Sequence, residues 1–218
     1  MSEELLHPVD TIGNTYTDIG ADTTEGYSIS SRSREMARQA IGDTTLEDRI
    51  RQRCSIAVGD FGMADLMTFN QNPVTAGLKA LAAGAPIYTD IRMVLTGIQK
   101  KGHTSQVICV LDLPAGVEQN GERTRTSAGF LSLREQITGS IIVIGNAPSA
   151  LLVVCDMIRE GIRPALVIGT PVGFVNAAES KDMLRTIDVP SVSNVGTRGG
   201  TPIAVAAMNE IITIFASR

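Results

Sequence analysis

The larger part of the chain is built from short apolar runs separated by amphipathic stretches about three turns long. Runs at 86–89, 106–111, 140–144, 165–168 and 190–193 are rich in Ile and Val and bounded by Gly, Pro, Asp or Ser, which marks them as strands. The stretches 73–83, 91–99, 127–138, 149–160, 178–186 and 201–215 read as helices. Alternation of the two predicts βαβ units: a doubly wound, mainly parallel five-stranded sheet with helices on both faces, an α/β fold. Upstream, 31–41 reads as a helix stopped by Gly42-Asp43. A second helix runs from a cap at Thr44 or Thr45, with Glu47 and Asp48 in its first turn, to about Val58. Residues 1–27 are rich in Thr, Asp and Gly and have no period. They are expected to form a flexible N-terminal arm ahead of a single α/β domain over 28–218.

Composition narrows the function classes. With 43% apolar and 19% charged residues in 218, the chain can bury a core, which excludes wholesale disorder. A net charge of −4 argues against non-specific nucleic-acid binding, and 4% aromatics with no Trp argue against base-stacking platforms. No apolar run approaches the roughly 18 residues of a membrane span, and the first ten residues lack the apolar stretch of a signal peptide. Cys54, Cys109 and Cys155 are far apart in sequence, lie in apolar stretches and show no metal-ligand spacing. They read as reduced, buried thiols of a cytoplasmic protein without a metal site.

Ligands of an open α/β sheet bind beyond the carboxyl ends of the strands. The loops expected there are Thr89-Asp90, a polar stretch from Asp112 to Thr126 that includes Arg123 and Arg125, Gly145-Asn-Ala-Pro148, 169–176, and Gly196-Thr-Arg-Gly-Gly-Thr-Pro202. In the last, glycines 196, 199 and 200 free the backbone to approach a ligand, Thr201 can cap the helix that follows, and Arg198 adds positive charge at a helix N-terminus. The same loop also fits an ordinary turn. Asn146 reads either as part of a backbone N–H cradle or as a turn residue tolerating positive φ. Asp90 reads either as an acceptor for a ligand or as the cap of the helix after it. Arg125, in a polar loop, reads as solvated. Neither dinucleotide nor P-loop glycine spacing is present, and no hydrolase elbow or zinc motif occurs. The residues alone thus point to an anionic small-molecule site at the sheet's C-terminal edge.

Several of these loops lie in longer blocks. They are Gly84-Ala-Pro-Ile-Tyr-Thr-Asp-Ile-Arg-Met-Val-Leu-Thr-Gly-Ile98, Ile144-Gly-Asn-Ala-Pro-Ser-Ala-Leu151, Pro164-Ala-Leu-Val-Ile-Gly-Thr-Pro-Val-Gly-Phe-Val-Asn-Ala-Ala-Glu-Ser-Lys181 and Gly196-Thr-Arg-Gly-Gly-Thr-Pro-Ile-Ala204. Over roughly residues 29 to 215 this set resembles the precorrin-8X methylmutase family, also called cobalt-precorrin-8 methylmutase or precorrin isomerase. The resemblance implies a flavodoxin-like fold and a homodimer with active sites at the subunit interface. It implies an isomerase of cobalamin biosynthesis that moves a methyl group from C-11 to C-12 of an anionic tetrapyrrole, precorrin-8X or its cobalt form, giving hydrobyrinate or cobyrinate. The step is a [1,5]-sigmatropic shift and needs no redox cofactor. Ser33 falls where the family has a substrate-binding Ser, and Arg125 falls on an Arg that meets a substrate carboxylate, a role suited to a forked guanidinium. Asp90, Asn146, Arg198, Gly199, Gly200 and Thr201 complete the expected substrate-binding set.

One position departs from the family. Its acid is a His on the second helix, in patterns such as Ile-His-Thr-Thr-Ala-Asp-Phe. Here the segment is Arg53-Cys-Ser-Ile-Ala-Val-Gly-Asp-Phe61, and aligned on Asp60-Phe61 the His position holds Ile56. Isoleucine can neither donate nor accept a proton. The two histidines of the chain, His7 in the arm and His103 before a strand, are poorly placed to replace it. Ser55, Cys54 and Tyr88 are the alternative donors. Two functions follow: a methylmutase using another donor, or a corrinoid-binding carrier or product-holding protein that has lost the acid.

Overall fold

A computed structural model of the chain describes residues 23–113 and 123–218. Its elements in chain order are α1 (Thr24–Ile41), α2 (Leu46–Val58), α3 (Met63–Leu66), β1 (Met67–Asn70), α4 (Pro73–Ala82), β2 (Ile87–Thr89), α5 (Arg92–Gly97), β3 (Val107–Cys109), α6 (Arg125–Leu133), β4 (Ile141–Ile144), α7 (Pro148–Arg159), β5 (Leu166–Gly169), α8 (Ala177–Arg185), β6 (Ser191–Asn194) and α9 (Thr201–Ala216). Single 3₁₀ turns follow β3 (Val110–Asp112) and α6 (Arg134–Ile137).

The sheet has six strands in the order β1-β6-β5-β4-β2-β3, one more than the sequence pattern predicts. The extra strand is β1, a four-residue edge that pairs antiparallel with β6, Met67 opposite Asn194 and Asn70 opposite Ser191. Met-Thr-Phe-Asn is too short and too mixed to show a period, so its strand character comes from pairing with β6. The five predicted strands are all present and mutually parallel. Taken alone they run in the flavodoxin-like order, in which the chain steps outward from β2 to β3 and then returns to the other side of β2 with β4.

Strand alternation builds two cores. Ile87, Ile141, Val143, Leu166 and Ile168 face a cluster formed with α2, α4, α5 and α9. Tyr88, Ile142, Ile144 and Val167 face a second cluster formed with α6, α7 and α8. All four residues of β4 are buried, the continuous apolar run expected of a parallel strand covered on both faces.

On the first face α9 is nearly enclosed, and its one carboxylate is shared. Glu210 accepts from Arg34 of α1 and, at 2.9 Å, from Nε of Arg49 of α2, and its side chain is wholly buried. One residue earlier, Asn209 accepts the Gln99 N–H at 3.0 Å and donates to the Gly97 carbonyl at 2.9 Å, closing the end of α5.

Other boundaries shift in physically legible ways. α1 starts at Thr24, inside the stretch read as an arm, because Thr23 caps it by accepting the Gly26 N–H at 3.0 Å. Residues 1–22 of that expected arm, with His7, lie outside the described residues. α2 opens on Thr45 with a reciprocal capping box to Asp48. α6 begins at Arg125, so Arg125 and Thr126 are helical rather than part of the polar loop; Thr124 caps that helix by accepting from Ser127.

Removing the shared carboxylate leaves the Arg34 and Arg49 guanidiniums facing each other without their common acceptor. Glu210→Ala is expected to lower folding stability by about 3–5 kcal/mol, read from the midpoint and slope of urea unfolding.

Candidate functional site

The order in which strands are added to the sheet reverses between β2 and β4, which are parallel, and one side chain bridges that point. Asp90, at the end of β2, is fully buried. Its carboxylate accepts the backbone N–H groups of Asn146 at 2.7 Å, Ala147 at 2.9 Å and Gly145 at 3.3 Å, all just beyond β4. Burial pushes this carboxyl above the usual carboxylate range, and the N–H donors pull it back only in part. Asp90 does not cap α5, whose N-cap is Ile91 without a side-chain bond. The backbone cradle read at 145–148 is therefore filled from within. Asn146 serves it through its backbone while its side chain is exposed, and its φ is not positive.

The neighbouring loops are tied to this junction. A Cβ added to Gly145 would lie 3.0 Å from the Cα of Thr201, so the end of β4 touches the start of α9. The Thr170 N–H donates to the Ile144 carbonyl at 2.9 Å, and the Thr170 carbonyl takes the Gly200 N–H at 2.7 Å. Gly199 and Gly200 have φ of +147° and +109°, and a Cβ on Gly199 would collide with the Thr170 carbonyl, so the turn requires glycine there. Gly200 is the N-cap of α9, with Thr201 and Pro202 as its first residues; the Thr201 hydroxyl does not cap. Across this turn the Gly173 N–H reaches the Thr197 carbonyl at 3.1 Å. That contact docks a loop displaying Val172, Val175 and Phe174, the last 95% exposed.

The end of α2 reaches the same place from the other side. Asp60 pairs with Arg198 at 2.8 Å, and the Cys54 thiol donates to the Ile203 carbonyl at 3.7 Å. Ile56 is half-buried in the last turn of α2, two residues on from Cys54 and so on a different face of the helix. Arg125, exposed at the start of α6, joins the cluster because the hydroxyls of Thr124 and Ser149 meet at 2.9 Å at the adjoining ends of α6 and α7. Arg92 and Asp112 add an exposed ion pair beyond β2.

Not every expected residue is brought to this edge. Ser33 sits within α1 rather than at its start, next to Arg34, whose partner Glu210 lies past the middle of α9. Tyr88 points into the core on the α6–α8 face, so the sheet separates it from Ile56, and burial raises its phenol. Cys54 is completely buried and its thiol is pushed up by that burial. Ser55 is buried too, and its Oγ has no partner among the described residues. His103 bonds the Gln99 carbonyl at 2.8 Å ahead of β3, at the opposite edge of the sheet.

Lys181 is the residue that the sequence reading passed over. It lies on α8 with no exposed surface, and its Nζ donates to the Arg198 carbonyl at 2.5 Å and to Asn194 Oδ1 at 3.4 Å. The Asn194 amide donates to the same carbonyl at 2.6 Å. Burial, reinforced by Arg185, lowers the ammonium to about 8. A signal was available, because Ala177, Ser180, Lys181 and Leu184 repeat at the spacing of a buried helical stripe.

Asp90→Asn keeps the shape but turns one acceptor into a donor facing N–H groups. A loss of about 1.5–3 kcal/mol is expected in chemical denaturation. Lys181 gives a pH signature. Between about 8 and its ordinary value of 10.5 the unfolded chain binds a proton that the folded chain has released, so stability rises with pH through that window. Denaturation midpoints across it should show this contribution in the parent protein and lose it in Lys181→Met.

Comparison with known proteins places this arrangement. A family model described as precorrin-8X methylmutase matches residues 28–214. A cobalt-precorrin-8 methylmutase of Methanocaldococcus jannaschii is 38% identical over 207 residues, covering 89% of this chain and 96% of that one. A precorrin-8X methylmutase of Pseudomonas aeruginosa is 41% identical over 174 residues, 76% and 83% of the two chains. The solved precorrin-8X methylmutase from Thermus thermophilus shares the fold with a TM-score of 0.81 and 36% identity, over 87% of this chain and 96% of that one. The chain belongs to the precorrin-8X methylmutase family.

Proposed function

We propose that this chain is an isomerase of cobalamin biosynthesis that binds precorrin-8X or its cobalt form and moves the methyl group from C-11 to C-12. The observation that carries this reading is the family match over 28–214, which spans every loop converging beyond β2, β4, β5 and β6. The edge offers what a large, carboxylate-rimmed macrocycle needs. Arg125 and Arg198 are exposed cations, the first N–H groups of α9 lie beside a glycine turn, and Val172, Phe174 and Val175 form an apolar surface for a ring face. Because the methyl shift is intramolecular, holding the macrocycle in a reactive conformation is itself catalytic. We assign Arg125, Asn146, Arg198, Gly199, Gly200 and Thr201 to substrate binding, Asp90 to fixing the loop behind them, and Ser33 to a contact completed on assembly. The exposed Phe174 loop suits a homodimer whose sites form between subunits. Among the described residues no helix is long and apolar enough to cross a membrane, which accords with a cytoplasmic reaction.

A second reading rests on Ile56. The resemblance places the family's proton donor at this position, and isoleucine supplies no proton. That favours a corrinoid-binding protein which holds the macrocycle without rearranging it. Of the alternative donors, Ser55 and Cys54 adjoin position 56 in the last turns of α2.

Titration with hydrobyrinate followed by visible absorbance, then a single turnover of precorrin-8X, separates the readings. The methylmutase reading expects binding with conversion, and Ile56→His then accelerates conversion by about 10²–10⁴-fold if proton donation limits the rate. Binding without conversion by the parent protein, with activity appearing only in Ile56→His, establishes the binding-protein reading. Absence of binding overturns both.

A further inference from the structure

The turn at 196–201 is held from beneath by a charge that forms no ion pair among the described residues. Lys181 has no exposed surface, and its ammonium bonds only neutral oxygens: the Arg198 carbonyl and Asn194 Oδ1. Among the described residues it has no ion-pair partner within salt-bridge distance; the adjacent Asp182 pairs with Arg185 and favours the ammonium only from a distance. A second cation is therefore nearby, with Arg185 Nη1 donating to the Asn194 carbonyl at 3.3 Å. Burying an ammonium without a counter-ion is costly, and a residue of similar volume without charge fits such a position at lower cost. The Arg198 carbonyl does not need the lysine to be satisfied, since Asn194 Nδ2 already donates to it at 2.6 Å. A purely structural role does not account for a charge at this position. The outer surface of the same turn presents Arg198, whose side chain is 63% exposed, and leads into the N-terminus of α9.

We propose that Lys181 is a positioning residue for carboxylate recognition: from beneath the turn it fixes the Arg198 backbone and adds positive potential where a peripheral carboxylate of the bound macrocycle docks. This rests on the reading of the ligand as an anionic tetrapyrrole. It goes beyond that reading by assigning part of its charge selectivity to a side chain that never meets solvent.

The test uses the full chain and two probes with the same ring, hydrobyrinate and its methyl ester, each titrated by visible absorbance into the parent protein and into Lys181→Met. The parent is expected to prefer the acid. The variant should lose about tenfold of that preference, bind the ester as the parent does, and melt at the same or a higher temperature. An unchanged acid-to-ester ratio overturns the proposal, as does an equal loss of affinity for both probes. Failure of the variant to fold also overturns it, because the lysine is then structural. A parent protein that binds neither probe overturns the corrinoid reading itself, and this inference with it.

Discussion

Asp90 is the constraint around which the site is built. A doubly wound sheet leaves a crevice where the chain reverses between β2 and β4, with backbone N–H groups pointing into it. In many folds such a cradle takes an external anion. Here the protein supplies its own, a buried carboxylate that binds three successive N–H groups across the crevice. The loops after β2 and β4 thereby become one rigid piece. Thr170 and the glycine turn continue it toward β5 and α9, so the loops after β2, β4 and β5 and the turn before α9 form one hydrogen-bonded surface. The exposed positive groups of this edge, the Arg125 and Arg198 guanidiniums, lie outside that buried carboxylate.

The last turn of α2 abuts this surface, clamped by the Asp60–Arg198 pair and the Cys54–Ile203 contact. Position 56 lies in that last turn, in a helix far away in sequence from the residues it abuts. The isoleucine at this position has no proton to give. For an internal rearrangement, holding the reactant in a reactive conformation accounts for much of the barrier.

Much of this architecture was legible in the sequence. The parallel strands announced themselves because burial on both faces demands continuous runs such as Ile141-Ile-Val-Ile144. β1 did not, since its four residues become a strand only by pairing with β6. The glycine turn was recognisable from its composition, and the need for glycine at 199 comes from a carbonyl that only the fold brings near. The partners of Asp90 were hidden because they lie 55 to 57 residues away. Tyr88 shows the opposite case. Its neighbours Ile87 and Thr89 alternate with it along β2, so strand period alone places it on the face away from α2 whenever Ile87 packs with that helix.

The short antiparallel strand β1 has a further effect, on how molecules of this protein meet one another. An open parallel sheet exposes unpaired backbone groups along both outer strands, and these invite strand-to-strand association. On one side β1 covers β6, binding through the Thr68–Ser193 hydroxyl pair at 2.7 Å as well as the backbone, and is itself only four residues long. On the other side β3 ends after three residues in a 3₁₀ turn. Neither border offers a length of backbone sufficient to template a neighbour. Self-association of this fold is thereby steered away from continuous β-sheet and toward side-chain surfaces on its helices and loops, where contact can be specific and reversible.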